Sequence, residues 1–445
     1  SKLYYHNIIT SRAIITCAYQ YKIKPTQNQI RQFEQYLSIC RSVYNFAHAE
    51  RKAWLESRKC LVDRCSISSE YIIPANSPFP NYNQQSAALT VAKTKIPHLK
   101  LVNAQCLQQV LKRLDSAWVD FFRMPSRGAR KPECIQAVRR RPKGFPKFRN
   151  ANRFRSFKFP KPNTVCLDAG RVKLPSMGWI KIRQSRPYPK GFIPKQLQVV
   201  RKASGYYLII YFESPETVPD ALPGKKSIGL DAGIESFVAT PTKLIKSPKF
   251  LVHTSRKLKL LQRRLKHKTK GSNNWLKLQN KIARLHEKVA NTRRDWHFKL
   301  AHEILGQADN IFVENINFKS WSRGLFCKQS LDSGIGGFIN TVLPYVAWKQ
   351  NKFYLKVDKN GTSQECCKCH THTGKKELGQ RIHICSNPSC LHTEPRDTCS
   401  AKVIQYRGEL AVGHIAKRDK LAPNACRGDA TGFKQLSLFE LVGSR

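Results

Sequence analysis

The stretch Ser227-Ile228-Gly229-Leu230-Asp231-Ala232-Gly233-Ile234, with Phe237-Val238-Ala239 just after it, decides the reading of this chain. Apolar residues surround a single acid. The pattern reads as a buried strand interrupted by Asp231, and the second apolar run as its hairpin partner at the opening of an α/β sheet. A carboxylate there is costly to bury unless charge meets it. Two more acids are oddly placed: Glu314 ends the apolar run Asn310-Ile311-Phe312-Val313, and Asp397 opens a late helical run. Any one alone reads as a cap, a turn or a surface acid. Brought together they would repel, and the usual resolution is a hard divalent cation such as Mg²⁺, which takes carboxylate and water oxygens. Two such ions about 3.5–4 Å apart activate a water and stabilise the leaving oxygen of a phosphodiester.

Charge supplies the substrate class. The 445 residues include 79 Lys+Arg against 29 Asp+Glu, a formal net charge of +50. A compact chain so charged repels itself unless it meets a polyanion, and a nucleic-acid backbone is the usual one. Acidic lipid is the other candidate, but the sequence holds no run of 18 or more apolar residues, and its N-terminal residues lack the apolar block of a signal peptide. The expectation is an intracellular, soluble protein without a membrane partner. A hydrophobic content of 41% with 10% aromatics excludes a disordered basic tail, so the charge decorates folded domains.

The 15 cysteines are odd in number and scattered, except between Cys366 and Cys399, which suggests reduced thiols and one metal site. Cys366 and Cys369 form a C-x2-C pair, Cys385 and Cys390 a C-x4-C pair, and the 15 residues between the pairs suit a hairpin. Four thiolates in two knuckles specify tetrahedral Zn²⁺ in a structural role, since a closed shell leaves no position for substrate. Cys367, His370, His372, His383 and His392 stand nearby as substitute ligands. Knuckles favour Gly after the second Cys, where φ is positive, yet here His370 and Leu391 stand there. The cost, about 1–2 kcal/mol each, is small against metal-binding free energies of roughly 10–16 kcal/mol.

Toward the N-terminus, a strand near Ile14 to Ile23 leads to Thr26, a helix cap. Ile30, Phe33, Leu37, Cys40, Tyr44 and Ala47 then recur at spacings of three and four. Pro, Ser and Asn across 59–95 predict a long loop before the helical pattern resumes at Leu107, Leu111, Leu114, Trp118 and Phe121. From Arg127 to Lys161, cations including Arg139, Arg140, Arg141 and Lys143 alternate with Phe145, Phe148, Phe154, Phe157 and Phe159, rings read as core rather than as base-stacking platforms. A small β-rich unit ends near Pro223. Two basic helices follow the Asp231 hairpin, one with Leu258, Leu261 and Leu265, the other with Trp275, Leu278, Ile282, Leu285 and Val289. Their stripes predict pairing with each other.

The order GLDAGI at 229–234, VENIN at 313–317, TSQEC-x2-C at 362–369 and RD at 396–397 before a helix resembles the TnpB (OrfB) family, relatives of type V CRISPR effectors. Asn291-Thr292-Arg293-Arg294-Asp295 and Leu331-Asp332-Ser333-Gly334 are smaller matches, and the likeness is firm over about 225–410. It implies an α+β multidomain protein: an RNase H-like (RuvC) α/β nuclease at 224–361 and 395–415, with the four-cysteine zinc ribbon inserted at 362–394. It further implies a wedge β-barrel in two parts, 1–25 and 128–223, around a helical recognition lobe at 26–127, while 416–445 matches nothing and is expected to be a disordered tail. Asp231, Glu314 and Asp397 would be the catalytic ligands of two Mg²⁺ ions, and Cys366, Cys369, Cys385 and Cys390 those of one Zn²⁺. Members of the family bind a transposon-derived guide RNA and cut double-stranded DNA pairing with it beside a short motif, which implies a prokaryotic, cytoplasmic protein acting at the nucleoid. The resemblance leaves the oligomeric state open. Where the family often has Asn two residues after the last acid and Asp before the Arg, this chain has Cys399 and Pro395. The competing readings are a guided DNA binder without cleavage, a strand-transfer transposase, and a structural zinc protein such as a ribosomal component. The first would usually have lost an acid, the second lacks a supported nucleophile, and the third leaves three acids unexplained.

Overall fold

The computed structural model describes residues 13–58, 73–74, 76–122, 144–162, 166–168, 170–218, 221–377 and 379–420. Arg139, Arg140, Arg141, Lys143 and the tail from 421 onward lie outside them. The chain divides into two compact units, Ser11–Val218 and the remainder beginning at Pro219.

In the first unit, β1 (Ala13–Lys24) leads through Thr26 into α1 (Gln27–Ser57), where Thr26 and Gln29 form a reciprocal capping box. The periodic face is buried as its spacing requires: Phe33, Leu37, Cys40, Tyr44 and Ala47 join one core with Leu111, Leu114 and Trp118. The loop expected over 59–95 is overturned in its second half, because α2 spans Tyr82–Lys95 behind an Asn81–Gln84 capping box. Periodicity could not find α2, since its buried residue is polar: Gln85 donates to the Ala47 carbonyl at 2.9 Å and accepts from Arg51 Nε at 3.0 Å. Arg51 also reaches Asp115 at 2.9 Å, so a buried polar network joins α1 and α2 to α3 (Ala104–Phe122).

The same unit carries a seven-stranded antiparallel sheet. Its strands are β2 (Ser156–Pro160), β3 (Leu167–Asp168), β4 (Arg171–Leu174), β5 (Gly178–Arg183), β6 (Ile193–Lys202) and β7 (Gly205–Val218), with β1 at the centre of the order β2-β6-β7-β1-β5-β4-β3. Among the described residues, no pairing joins the end strands β2 and β3 of this order. Phe154, Phe157 and Phe159 are core residues, and Phe157 meets Phe33 with ring centroids 5.9 Å apart. Phe145 and Phe148 remain partly exposed, packed on Trp118 and His48 at 5.0 and 4.6 Å.

The second unit is built on a five-stranded sheet ordered β10-β9-β8-β11-β12. Here β8 is Ser227–Ala232, β9 Ser236–Ala239, β10 Leu244–Lys246, β11 Asn310–Glu314 and β12 Phe353–Val357. β8, β11 and β12 run parallel, while β9 and β10 are antiparallel hairpin strands. Helices α4 (Val252–Lys266) and α5 (Asn273–Leu305) pair through Leu258, Leu261 and Ile282, with Leu265, Leu278 and Leu285 beside them, as their stripes predict. Both sheet faces are covered. Ile311 and Val313 pack with Leu300 and Phe338, whereas Phe312, of opposite parity, packs with Ile404 of α6 (Arg396–Lys420). Two glycines let α6 lie this close: a Cβ at Gly229 would stand 2.1 Å from the Ala401 carbonyl oxygen, and one at Gly408 would stand 2.1 Å from Phe312 Cγ.

The two smaller motifs meet. Arg293 Nη2 lies 3.5 Å from Asp332 Oδ1, and the Asp332 carboxylate accepts from Leu251 N–H at 2.9 and 3.1 Å, just ahead of α4. One turn along, buried His297 bonds the Ser333 carbonyl oxygen through Nε2 at 2.9 Å, which as a neutral ring it does by donating. Burial, and secondarily Arg293, lowers its pKa from 6.5 to about 4. The unfolded chain then takes up this proton first, so the stability tied to the neutral ring is present above pH 6.5 and is lost as pH falls toward 4. The full loss is roughly 3 kcal/mol. We expect His297→Gln to flatten this acid limb in Tm measured against pH; an unchanged limb would count against it.

Candidate functional site

Strand parity aims the acids. Gly229 faces α6, and Asp231 is two residues on, so it points the same way; Phe312 faces α6, and so therefore does Glu314. Both acids stand at the C-terminal ends of neighbouring parallel strands, where open α/β sheets commonly place their ligands. Asp397 occupies the first turn of the helix crossing that face, where a carboxylate also suits the helix dipole.

The electrostatics agree with this convergence. Burial pushes Asp231 well above the usual carboxylate range, and the charges of Glu314 and Asp397 push it further, with Arg396 pulling back. Glu314, 9% exposed, is also raised by burial, against a hydrogen bond from Thr362 and the nearby Arg407. The trio is more open than a single-ion cage: among the described residues, its oxygens do not all fall within 4.8 Å of one another, as the thiols below do. Hydroxyls fix two of the acids, since Ser236 donates to Asp397 Oδ2 at 3.0 Å and Thr362 donates to Glu314 Oε1. Arg396 Nε stands 3.6 Å from Asp397 Oδ1. The sequence reading missed Ser236 and Arg396 in these roles; Thr362 lay within the TSQEC motif, but nothing linked it to Glu314.

Cys366, Cys369, Cys385 and Cys390 bring four Sγ atoms within 4.8 Å of one another, with Cys366–Cys390 at 4.0 Å and Cys369–Cys385 at 3.5 Å. A tetrahedral site with Zn–S bonds near 2.3 Å separates its sulfurs by about 3.8 Å, so the cluster suits a metal such as zinc. His370 and Leu391 both adopt positive φ, 59° and 42°. His370 is compensated: its ring stacks on Tyr406 at 3.8 Å and Nδ1 lies 2.9 Å from Glu365 Oε1. Arg407 holds the other Glu365 oxygen at 2.7 Å, so the first knuckle is docked on α6. The hairpin is placed differently from expectation. Strands β13 (Ile382–Ile384) and β14 (Thr393–Pro395) pair across the second cysteine pair rather than within the linker between the pairs, because the Cys385–Cys390 knuckle itself makes the turn.

Among the described residues, no helix is long and apolar enough to cross a membrane. Exposed cations, among them Arg263, Arg264, Lys277 and Lys281, cover the outer faces of α4 and α5.

Family comparisons bear on these elements directly. Residues 210–323, holding Asp231 and Glu314, match the OrfB_IS605 profile, described as "Probable transposase". Residues 338–404, with the cysteines and Asp397, match the Cas12f1-like TNB domain. Residues 15–60 match HTH_OrfB_IS605, a helix-turn-helix domain, although in this structure the span holds β1 and the uninterrupted α1 up to Ser57. The "Putative RNA-guided DNA endonuclease InsQ" of Escherichia coli (strain K12) is 27% identical over 416 residues, covering 89% of this chain and 92% of that protein. A "Putative RNA-guided DNA endonuclease" of Streptomyces pristinaespiralis is 24% identical over 400 residues, covering 88% and 90%. A chain of the Cas12f1-sgRNA-target DNA complex aligns over 88% of this chain and 99% of its own, at 18% identity and a TM-score of 0.31. In order along its length the chain thus carries regions similar to the OrfB helix-turn-helix domain, the OrfB_IS605 domain and the Cas12f1-like TNB domain.

Proposed function

We propose that this protein is an RNA-guided DNA endonuclease whose second unit is an RNase H-like (RuvC) nuclease, with Asp231, Glu314 and Asp397 holding two Mg²⁺ ions. The observation that carries the reading is the convergence of three acids on the α6 face of the sheet, where burial raises the pKa of Asp231 and Glu314 and the charges of Glu314 and Asp397 raise that of Asp231 further. Such a site carries an excess of negative charge, and a hard cation with oxygen ligands fits its donors. Bound there, Mg²⁺ supplies Lewis acidity and an activated water. Ser236 and Thr362 hold the planes of Asp397 and Glu314, so both acids are ordered before cation arrives. Arg396 offsets part of the charge and offers its guanidinium to a phosphate oxygen. The four-cysteine ribbon holds Zn²⁺ structurally. In the first unit we assign the sheet to the wedge and α1–α3 to the recognition lobe, which would hold guide and target through their backbones while base pairing reads sequence. The relatives named RNA-guided DNA endonucleases, and the charge of +50, support this assignment.

The test is to express the chain with its native flanking DNA, sequence the co-purifying RNA, and offer the complex Mg²⁺ and plasmids that match the RNA end beside randomised flanks. Cleavage next to one preferred flank is the expected result. Defined RNA and target binding without a cut would favour the guided binder, and no specific RNA would overturn the guided reading.

A further inference from the structure

Outside both sites, a third group of metal-ligating side chains converges where the ribbon meets α6. Cys367 Sγ, His392 Nε2 and a Glu394 carboxylate oxygen all lie within 4.8 Å of one another. Glu394 Oε2 is the hub, 3.3 Å from the Cys367 thiol and 3.1 Å from His392 Nε2. Ligands of a tetrahedral ion with bonds of about 2.0–2.3 Å stand roughly 3.3–3.8 Å apart, so these separations are close to those of a chelate. None of the three residues is fully exposed, and none belongs to the four-thiol cluster. Lys402 Nζ holds Glu394 Oε1 at 2.5 Å, which fixes the carboxylate with Oε2 turned to the other two donors. Cys399 stands beside the group, its Sγ accepting from Cys367 N–H at 3.3 Å.

We infer that Cys367, His392 and Glu394 form a second divalent transition-metal site, of the Zn²⁺ class, separate from the ribbon's four cysteines. A thiolate, an imidazole and a carboxylate select Zn²⁺ or Co²⁺ over Mg²⁺, which prefers oxygen alone. Thiolate and carboxylate together balance a divalent charge, and binding displaces the Cys367 thiol proton. The site clamps the first knuckle to β14, three residues before Asp397. It rests on the ribbon's geometry and is independent of nuclease activity.

The experiment is a metal count on the full-length chain, saturated with Zn²⁺, dialysed and measured by atomic emission, with Co²⁺ substitution as a spectroscopic readout. Wild type is expected to hold two equivalents. His392→Gln and Cys367→Ser should each hold one, and the Co²⁺ retained should show the intense thiolate charge-transfer bands of a four-cysteine site. Glu394→Gln provides a third variant if the cysteine change prevents folding. A single equivalent in wild type, or two in wild type and in every variant, would overturn the inference.

Discussion

Asp231→Ala is expected to abolish cleavage, with a fall of about 10³-fold or more, while RNA binding stays within about twofold. Loss of the several kcal/mol a metal contributes to transition-state stabilisation sets the first figure. The second follows because backbone attraction comes from exposed cations, and removing one half-buried acid subtracts none of them. Equal loss of both activities would count against the assignment. The raised pKa adds a pH signature. Asp231 and Glu314 hold protons above the usual carboxylate range, so protons compete with Mg²⁺ and cleavage should decline as pH falls, with added Mg²⁺ moving the decline to lower pH. The stability sign is opposite to that of a salt-bridged acid. A folded-state pKa above the unfolded value means that metal-free stability falls as pH rises through it, because the ionised form is penalised. Asp231→Asn should therefore raise Tm at neutral pH without Mg²⁺ and remove most of the stabilisation Mg²⁺ brings. A lower Tm for this variant in metal-free buffer would refute the electrostatic account.

Removing the ribbon's metal should have the other large effect. Among the described residues of 362–394, the buried ones are Cys366, Cys385, His383 and Thr362, so they supply almost no hydrocarbon core to fall back on. Metal-binding free energy of roughly 10–16 kcal/mol is then most of what orders it. Cys366→Ser, or prolonged chelation, should release the segment to rapid hydrogen exchange and lower Tm. Cleavage should fall too although Asp231, Glu314 and Asp397 are intact, because Thr362 leaves Glu314 and Glu365 leaves Arg407 when the first knuckle loosens. A metal-free protein with unchanged exchange over 362–394 would remove the claim.

The sequence by itself determined whatever was written in local pattern. Apolar runs located β1, β8 and β11, helical periodicity located α1, α3 and the α4–α5 pair, and the spacing of the four cysteines anticipated a cluster whose sulfurs do converge. His370 and Leu391 could be assigned positive φ because knuckle geometry is a property of a few adjacent residues. The tertiary structure decided what depends on long-range partners. Helix α2 escaped notice because its buried contact is a glutamine bonded to a helix 38 residues away in sequence. Ser236 and Thr362 are ordinary hydroxyls until folding sets them, 161 and 48 residues away in sequence, against Asp397 and Glu314. The strand order of the first sheet and the turn made by the second knuckle were likewise settled by pairing across the chain. The common facing of Asp231 and Glu314 needed parallel strands in register and two glycines that let α6 come close, and no single stretch of sequence contains that relation.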